Sequence, residues 1–302
     1  TVSVIALLDA AGKAAYDAAV AAIKSAYNDR SMEGNQAEAV KAAYQEALKK
    51  QTAVGSDYTE CAPTTWVGQT GGYAGRAERY NASDYNPPYL YTGDVMTQTI
   101  EGMPEGAYKV VLEATASFTS GRGFTCQTGD NLAAVFANGQ KTNLPVVDRG
   151  AINSDAEYGP VEVIGKVGAD GVLKYGIMKL VEDGGNWFVV NLVSITKVEY
   201  VPVTAINASN VEVEVFKTAE IGATVTPENA TLPEISYTSY DENIATVDNN
   251  GVVYGVAVGS VKIMLEADDI QKEVTVNVVA PAVLPESITL DPTEVALQFG
   301  AT

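Results

Sequence analysis

The sequence carries 38 acidic and 19 basic side chains but no histidine, and that absence decides most of its chemistry. Without an imidazole, neither Ser-His-Asp nor Cys-His nucleophilic machinery can be assembled, nor any His-ligated metal centre. Hydrolysis by a carboxylate pair and oxygen-ligated calcium stay open. The carboxylates are scattered, no spacing singles out a pair, and the reading is that this chain is not an enzyme. No D-x-D-x-D-G loop occurs, so no metal ligand set can be named, no cofactor is called, and structural calcium stays open. A further chemistry needs no acid or base. Sugars are held by aromatic rings that stack on C–H faces and by amide, carboxylate or guanidinium groups that meet hydroxyls. The stretch YNASDYNPPYLYTGD places Tyr80, Tyr85, Tyr89 and Tyr91 among prolines, asparagines and aspartates, and TSGRGFTCQTGDN offers Arg122 and Phe124 between glycines. The candidate glycan contacts are therefore Tyr85, Tyr89, Tyr91, Arg122 and Phe124. The competing reading is that the tyrosines stitch a long loop onto the fold.

Two cysteines, Cys61 and Cys126, are too few for a structural zinc site. They form one disulfide in an oxidising compartment or stay as two buried thiols, and a bridge closing that loop would contribute roughly 4 kcal/mol. The net charge of −19 is concentrated after residue 52; residues 202–281 hold three basic against twelve acidic side chains. Such a surface repels phosphate backbones and excludes nucleic acid as a partner. A mean hydropathy of +0.02 is that of a globular chain. There is no apolar run of the ~20 residues needed to span a bilayer and no signal peptide at the start. The chain is then either cytoplasmic or a mature exported form with its signal peptide removed.

The elements that must position these residues change character along the chain. In residues 1–52, Tyr16, Val20, Ile23 and Tyr27, then Val40, Tyr44 and Leu48, recur at helical spacing in an alanine-rich background around the turn NDRSMEGNQ. The pattern predicts a helical hairpin too small to stand alone, which packs on its neighbour or mediates self-association. Residues 53–201 read as strands. AYKVVLEATASF alternates, with Tyr108, Val110, Leu112, Ala114, Ala116 and Phe118 on one face and Lys109, Glu113, Thr115 and Ser117 on the other, the period of a half-buried strand. Several more short strands bounded by Gly, Asn and Asp predict a two-sheet sandwich. Pro202 marks a junction, residues 202–281 are again all β, and APAVLP at 280–285 is a second linker. The fold class is mainly β and multidomain.

Residues 203–279 resemble a bacterial immunoglobulin-like domain of group 2, as found in adhesins and modular surface enzymes. TVTPENAT and YTSYDENIATVDNNGVVYGVAVGSVKIML carry the resemblance, with Tyr237 where tryptophan is usual. The resemblance implies an Ig-like sandwich that acts as a spacer. Asn250-Gly251 would form its hairpin turn, Gly255 and Gly259 its tight strand exits, and Ile244, Val247, Val253 and Val261 its core. Ile288 repeats Ile206, so residues 282–302 are expected to begin a second such domain and the chain to be a piece of a longer protein. More loosely, residues 60–200 resemble a galactose-binding-like jelly roll of secreted Bacteroidetes-type proteins. AERYN, DVMTQTIEGMPEGAYKVVLEATA and GNWFVVNLVSITKVEY carry this, with Asn191 for the commoner Asp. It implies that Trp66 and Trp187 are core residues, and that calcium is a structural ligand in many such folds.

Together these readings predict a secreted or cell-surface modular bacterial protein whose jelly roll binds carbohydrate or mediates adhesion. Rival readings are an accessory region of a large glycoside hydrolase, a self-assembling surface protein, and a phage-decorating protein.

Overall fold

The computed structural model describes residues 10–28, 36–73, 75–80, 92–120, 125–127, 129–146, 158–181 and 187–281. Two compact units divide the chain, Thr1–Val201 and Pro202–Thr302. No described helix is long and apolar enough to cross a membrane.

The first unit opens with two helices, α1 (Ala10–Asn28) and α2 (Gln36–Leu48). Tyr16 and Tyr44 meet edge to face between them at 6.1 Å, and Ala47 and Leu48 are buried in the same hydrophobic cluster as the strands that follow. The hairpin is thus roofed by its neighbour. Tyr58 fixes the joint: its hydroxyl donates to the Gln51 carbonyl and its ring stacks edge-on to Tyr108 at 5.2 Å.

Ten strands follow: β1 (Gly71–Tyr73), β2 (Arg76–Tyr80), β3 (Gly93–Ile100), β4 (Gly106–Ser120), β5 (Thr125–Gln127), β6 (Gly129–Ala137), β7 (Gln140–Val146), β8 (Pro160–Val167), β9 (Leu173–Lys179) and β10 (Trp187–Val198). One ladder runs β1-β2-β10-β4-β8, with β5 at the far end of β4, and another runs β7-β6-β9-β3. The two join where Ala116 of β4 meets Val146 of β7 in parallel. Their facing sides share one core. From β4 it takes Tyr108, Val110, Leu112, Ala114, Ala116 and Phe118, from β6 Ala133, Val135 and Ala137, and from β9 Leu173, Tyr175 and Ile177. The alternation in β4 is the pattern that the sequence predicts for its buried face. Its opposite face departs from expectation, because Thr115 and Ser117 are also fully buried.

The second unit contains β11 (Ala205–Asn207), β12 (Val211–Glu214), β13 (Thr218–Glu220), β14 (Thr224–Thr226), β15 (Ser236–Ser239), β16 (Ala245–Val247), β17 (Val252–Gly255), β18 (Gly259–Ala267) and β19 (Ile270–Val279). Sheets β12-β19-β18-β15 and β13-β17-β16 enclose the core, and β11 pairs with β14. Val253, Val261, Ile263, Val274 and Val276 are buried there, with Ile244 and Val247 packed against them. Asp248 builds the turn before β17: its carboxylate accepts from the backbone of Asn250 and Val252, both at 2.9 Å. Gly251 there has φ +76, and a Cβ on it would lie 2.8 Å from the Tyr237 ring. The aromatic at 237 therefore needs glycine opposite it for space as well as for backbone conformation.

Candidate functional site at one pole of the first unit

A chain of strand pairs traces one end of the first unit. Tyr80 at the end of β2 pairs with Trp187 at the start of β10, and Trp187 pairs with Ser117. The neighbouring Ala116 meets Val146 at the end of β7, and Val146 pairs with Gly129 at the start of β6. Lys179 at the end of β9 pairs with Gly93 at the start of β3. The strands that bracket residues 81–91 and 121–124 thus end and begin at this same pole. All five candidate glycan contacts, Tyr85, Tyr89, Tyr91, Arg122 and Phe124, lie in those two stretches and outside the described residues.

A polar and aromatic cluster, which the sequence reading did not single out, covers the outer face of the sheet beside this pole. Because side chains alternate, Trp187 and Val189 on β10, Thr115 and Ser117 on β4, and Arg76 and Glu78 on β2 all face away from the main core. Trp187 packs edge-on against Tyr73 at 5.3 Å, and its indole N–H donates to Glu78. The Arg76 guanidinium lies 4.4 Å from the centre of the Tyr158 ring and reaches Glu113 through Nη2 at 3.2 Å and Nε at 3.3 Å. Tyr158, Trp187 and Val189 are buried as a small core of their own. This explains the burial of Thr115 and Ser117: the polar face of β4 is covered, and the Thr115 hydroxyl is the one described buried side-chain polar atom without a hydrogen-bond partner. Trp187 is buried as expected of it, but in this outer cluster rather than between the sheets. Trp66 packs edge-on to Tyr175 at 5.8 Å in the main core. In chemical terms, the cluster offers a guanidinium, two carboxylates and a hydroxyl beside aromatic edges. Its ring faces are covered, so it is no open stacking platform. The signal available in the sequence was the pair of charges in RAERY, placed one strand away from a tryptophan.

A second polar group lies inside the sandwich. Tyr175 donates to Gln98 Oε1 at 2.6 Å, and Gln98 Nε2 donates to the carbonyls of Pro63 at 2.7 Å and Thr65 at 3.2 Å. This network pins residues 63–65 to the sheet edge.

Of the two states left open for the cysteines, Cys61 adopts the thiol. It is free and buried, donates weakly to the Gln45 carbonyl at 3.7 Å, and burial pushes its pKa up to about 12. Geometry forbids the bridge. Cys61 follows Tyr58, which packs on Tyr108 near the start of β4, whereas Cys126 pairs with Thr119 near its end. Eleven residues of strand at ~3.3 Å each separate those positions, far beyond the ~7 Å limit between bridged Cα atoms. The described residues contain no group of three acidic or cysteine side chains that could hold a metal. Of the hairpin, Ala15, Tyr16, Tyr44, Ala47 and Leu48 pack on the sandwich, and no described feature supports the expected self-association.

Residues 200–278 match the family model described as Bacterial Ig-like domain (group 2). The second unit carries a bacterial Ig-like domain. Among solved structures, the chain is similar to domains 4 and 5 of the S-layer protein SbsC, at 20% identity over 49% of this chain and 77% of that one, with a TM-score of 0.25. It is also similar to the M60 catalytic domain with the CBM51-1 and CBM51-2 domains of Clostridium perfringens ZmpB, at 8% identity over 75% and 24%, TM-score 0.23. A third likeness is to a beta-1,2-glucanase from Parabacteroides distasonis, at 10% identity over 62% and 31%, TM-score 0.19. The chain spans less than a third of the length of the last two. No curated protein matches the sequence. The Ig-like domain and the separate first unit make this a modular protein.

Proposed function

We propose that the first unit is a non-catalytic carbohydrate-binding module of a secreted or surface-exposed bacterial protein, and that the Ig-like domain is its spacer. The observation that carries the reading is the convergence of strand ends at one pole. The tyrosine-rich stretch 81–91 and the Arg-Gly-Phe stretch 121–124 are far apart in sequence, yet both are bracketed by strands that meet there. Stacking rings and a guanidinium presented together at one end of a sandwich would supply what recognition of a polyhydroxylated ligand requires. Adhesion would follow from joining such a module to a spacer.

The test is a glycan-array and insoluble-polysaccharide screen of the full chain beside its Tyr89→Ala/Tyr91→Ala/Phe124→Ala variant. Binding that is lost in a variant with unchanged unfolding midpoints supports the module and its site. Binding that survives moves the site elsewhere, to the Arg76–Trp187 face as the next place to mutate. No binding to any glycan overturns the reading in favour of an architectural role.

A further inference from the structure

The dipeptide Asn-Gly occurs twice in the chain, at Asn138-Gly139 and at Asn250-Gly251. In it an asparagine side chain is open to attack by the backbone, because glycine places no side chain between its own nitrogen and the neighbouring amide carbon. Both copies sit in hairpin turns, one in each unit. The first lies between β6 and β7, where Ala137 pairs with Gln140. The second precedes β17, where the Asp248 N–H donates to the Val252 carbonyl at 3.0 Å. The same chemistry thus stands in two environments.

The first copy is clamped. Asn138 is half-buried, its Nδ2 donates to the carbonyls of Lys166 and Val172, both at 2.7 Å, and its Oδ1 accepts from the Lys174 N–H at 2.8 Å. Its amide carbon cannot swing towards the Gly139 nitrogen unless those bonds, which tie the turn to β8, β9 and the connection between them, break together. The second copy has no such clamp. Asn250 is exposed, and among the described contacts only its backbone N–H is engaged, donating to the Asp248 carboxylate at 2.9 Å. What holds the attacking nitrogen is the Gly251 N–H donating to the Asp248 carbonyl at 3.0 Å. That is one bond in an exposed turn, and such turns open locally without unfolding the domain.

We infer that Asn250 is a site of spontaneous backbone modification, its amide being lost to aspartate and isoaspartate, and that the fold protects Asn138 from the same reaction. The Gly251 nitrogen bonds to Asn250 Cγ, the Cγ–Nδ2 bond breaks, and ammonia leaves with the proton that Gly251 gives up. Water then opens the cyclic imide. Opening at Cγ leaves aspartate; opening at the backbone carbonyl carbon leaves isoaspartate, with the chain running through Cβ and Cγ and longer by a carbon. Water is the only co-reactant. The second product matters because Gly251 also accepts from the Ile221 N–H at 3.0 Å and lies so close to the Tyr237 ring that a Cβ on it would be 2.8 Å away. An added backbone carbon before Gly251 displaces both contacts. The Ig-like domain is therefore where the chain ages first, whether or not the first unit binds glycans.

Incubation of the full chain at mildly alkaline pH, then peptide mapping by mass spectrometry with isoaspartate-specific methyl labelling, tests this. In the folded chain Asn250 should convert at least about tenfold faster than Asn138, since a single exposed turn bond opens more often than the Asn138 clamp. In urea above both unfolding midpoints the two sites should convert at similar rates. The urea midpoint of the Ig-like domain should fall as isoaspartate accumulates at 250. In Asn250→Gln, whose longer side chain closes the imide far more slowly, that midpoint should hold over the same incubation. Equal conversion of the two sites in the folded chain overturns the proposal, as does an Asn250 that stays intact there while the denatured chain converts. A difference that survives in urea would assign the selectivity to local sequence and overturn the role of the fold. A midpoint that falls as fast in Asn250→Gln would overturn the link to stability.

Discussion

The two units differ in where they keep their polar groups. All seven described buried polar or charged residues, Gln51, Thr97, Gln98, Thr115, Ser117, Lys179 and Lys197, belong to the first unit. Among its described residues the Ig-like domain buries only apolar side chains and glycine, and its turns are held by exposed carboxylates such as Asp241 and Asp248. Burying a polar group costs free energy unless it is paired, so a unit that does so repeatedly is using those groups to hold something in place. Gln98 holds residues 63–65 and Tyr58 holds Gln51. Lys197 Nζ reaches the Glu105 carbonyl at 2.5 Å, and burial lowers its pKa. The polar interior of the first unit positions irregular segments around a sandwich. The Ig-like domain has short connections and needs no such devices, which suits a spacer.

The largest expected effect tests whether the units are independent at all. Phe118 is fully buried in the first core and packs edge-on to Phe188 at 5.9 Å. Phe118→Ala should cost about 3–5 kcal/mol and lower the urea midpoint of the first unit only. Peptide-level hydrogen exchange assigns each transition to its unit. A midpoint that falls in both would show one cooperative body and end the comparison.

Gly251→Ala applies the same test from the other side. A positive φ and a Cβ 2.8 Å from the Tyr237 ring predict a loss of roughly 1–3 kcal/mol, confined to the Ig-like domain. Tyr237→Leu in the same chain should recover part of it, because the two residues share the space and their effects cannot add. A strictly additive pair would show that the conformational cost alone acts.

What the sequence shows and what it hides follow the same division. In the Ig-like domain the functional unit of the pattern is local: Asp248, Gly251 and Val252 lie within five residues, and the turn that they build is readable as a string. In the first unit, the alternation of β4 is legible because period two is a property of one strand. Its covered outer face is not. Thr115 and Ser117 read as solvent-facing, and only the pairing of β10 and β2 onto β4 brings Trp187 and Arg76 over them. The pole where the strands bracketing 81–91 and 121–124 end is likewise a property of strand order, which depends on contacts across more than a hundred residues. The cysteine pair failed to be decided for the same reason: whether Cys61 and Cys126 can meet depends on the length of β4 between them.

A smaller effect probes the polar interior directly. Tyr175→Phe removes the donor to Gln98 Oε1 and leaves a buried acceptor unpaired, an expected cost of about 1–3 kcal/mol in the first unit. Alkaline pH reaches the same core through Cys61. Its thiol ionises near 9.0 when unfolded and at about 12 when folded. Between those values the unfolded chain binds fewer protons, so the stability present below pH 9 is lost as pH rises. Burial also raises the pKa of Tyr108 and Tyr175, which extends the loss upward. Against a Cys61→Ala variant, the intact chain should lose more of its first-unit midpoint between about pH 7.5 and about pH 10.5. Equal losses would show that the thiol is solvated in the folded state.

The smallest expected difference lies between two ion pairs, one in each unit. Arg76 and Glu113 have side chains 14% and 33% exposed, with the guanidinium also over Tyr158. Lys262 and Glu273 are 57% and 37% exposed, 2.5 Å apart, with the Tyr240 hydroxyl donating to the same carboxylate at 3.0 Å. Distance alone would rank the second pair as stronger. Exposure reverses the order, because solvent and salt screen the open pair and its side chains give up rotamer freedom to form it. Arg76→Met should therefore lower the first-unit midpoint by the equivalent of about 1 kcal/mol through the lost cation–π contact and the stranded carboxylate. Lys262→Met should leave the Ig-like midpoint where it was, at low salt and at high. If Lys262→Met proves the costlier change, short contact outweighs burial here, and the difference between a unit with polar groups fixed inside it and one with polar groups only at its surface would have to be redrawn.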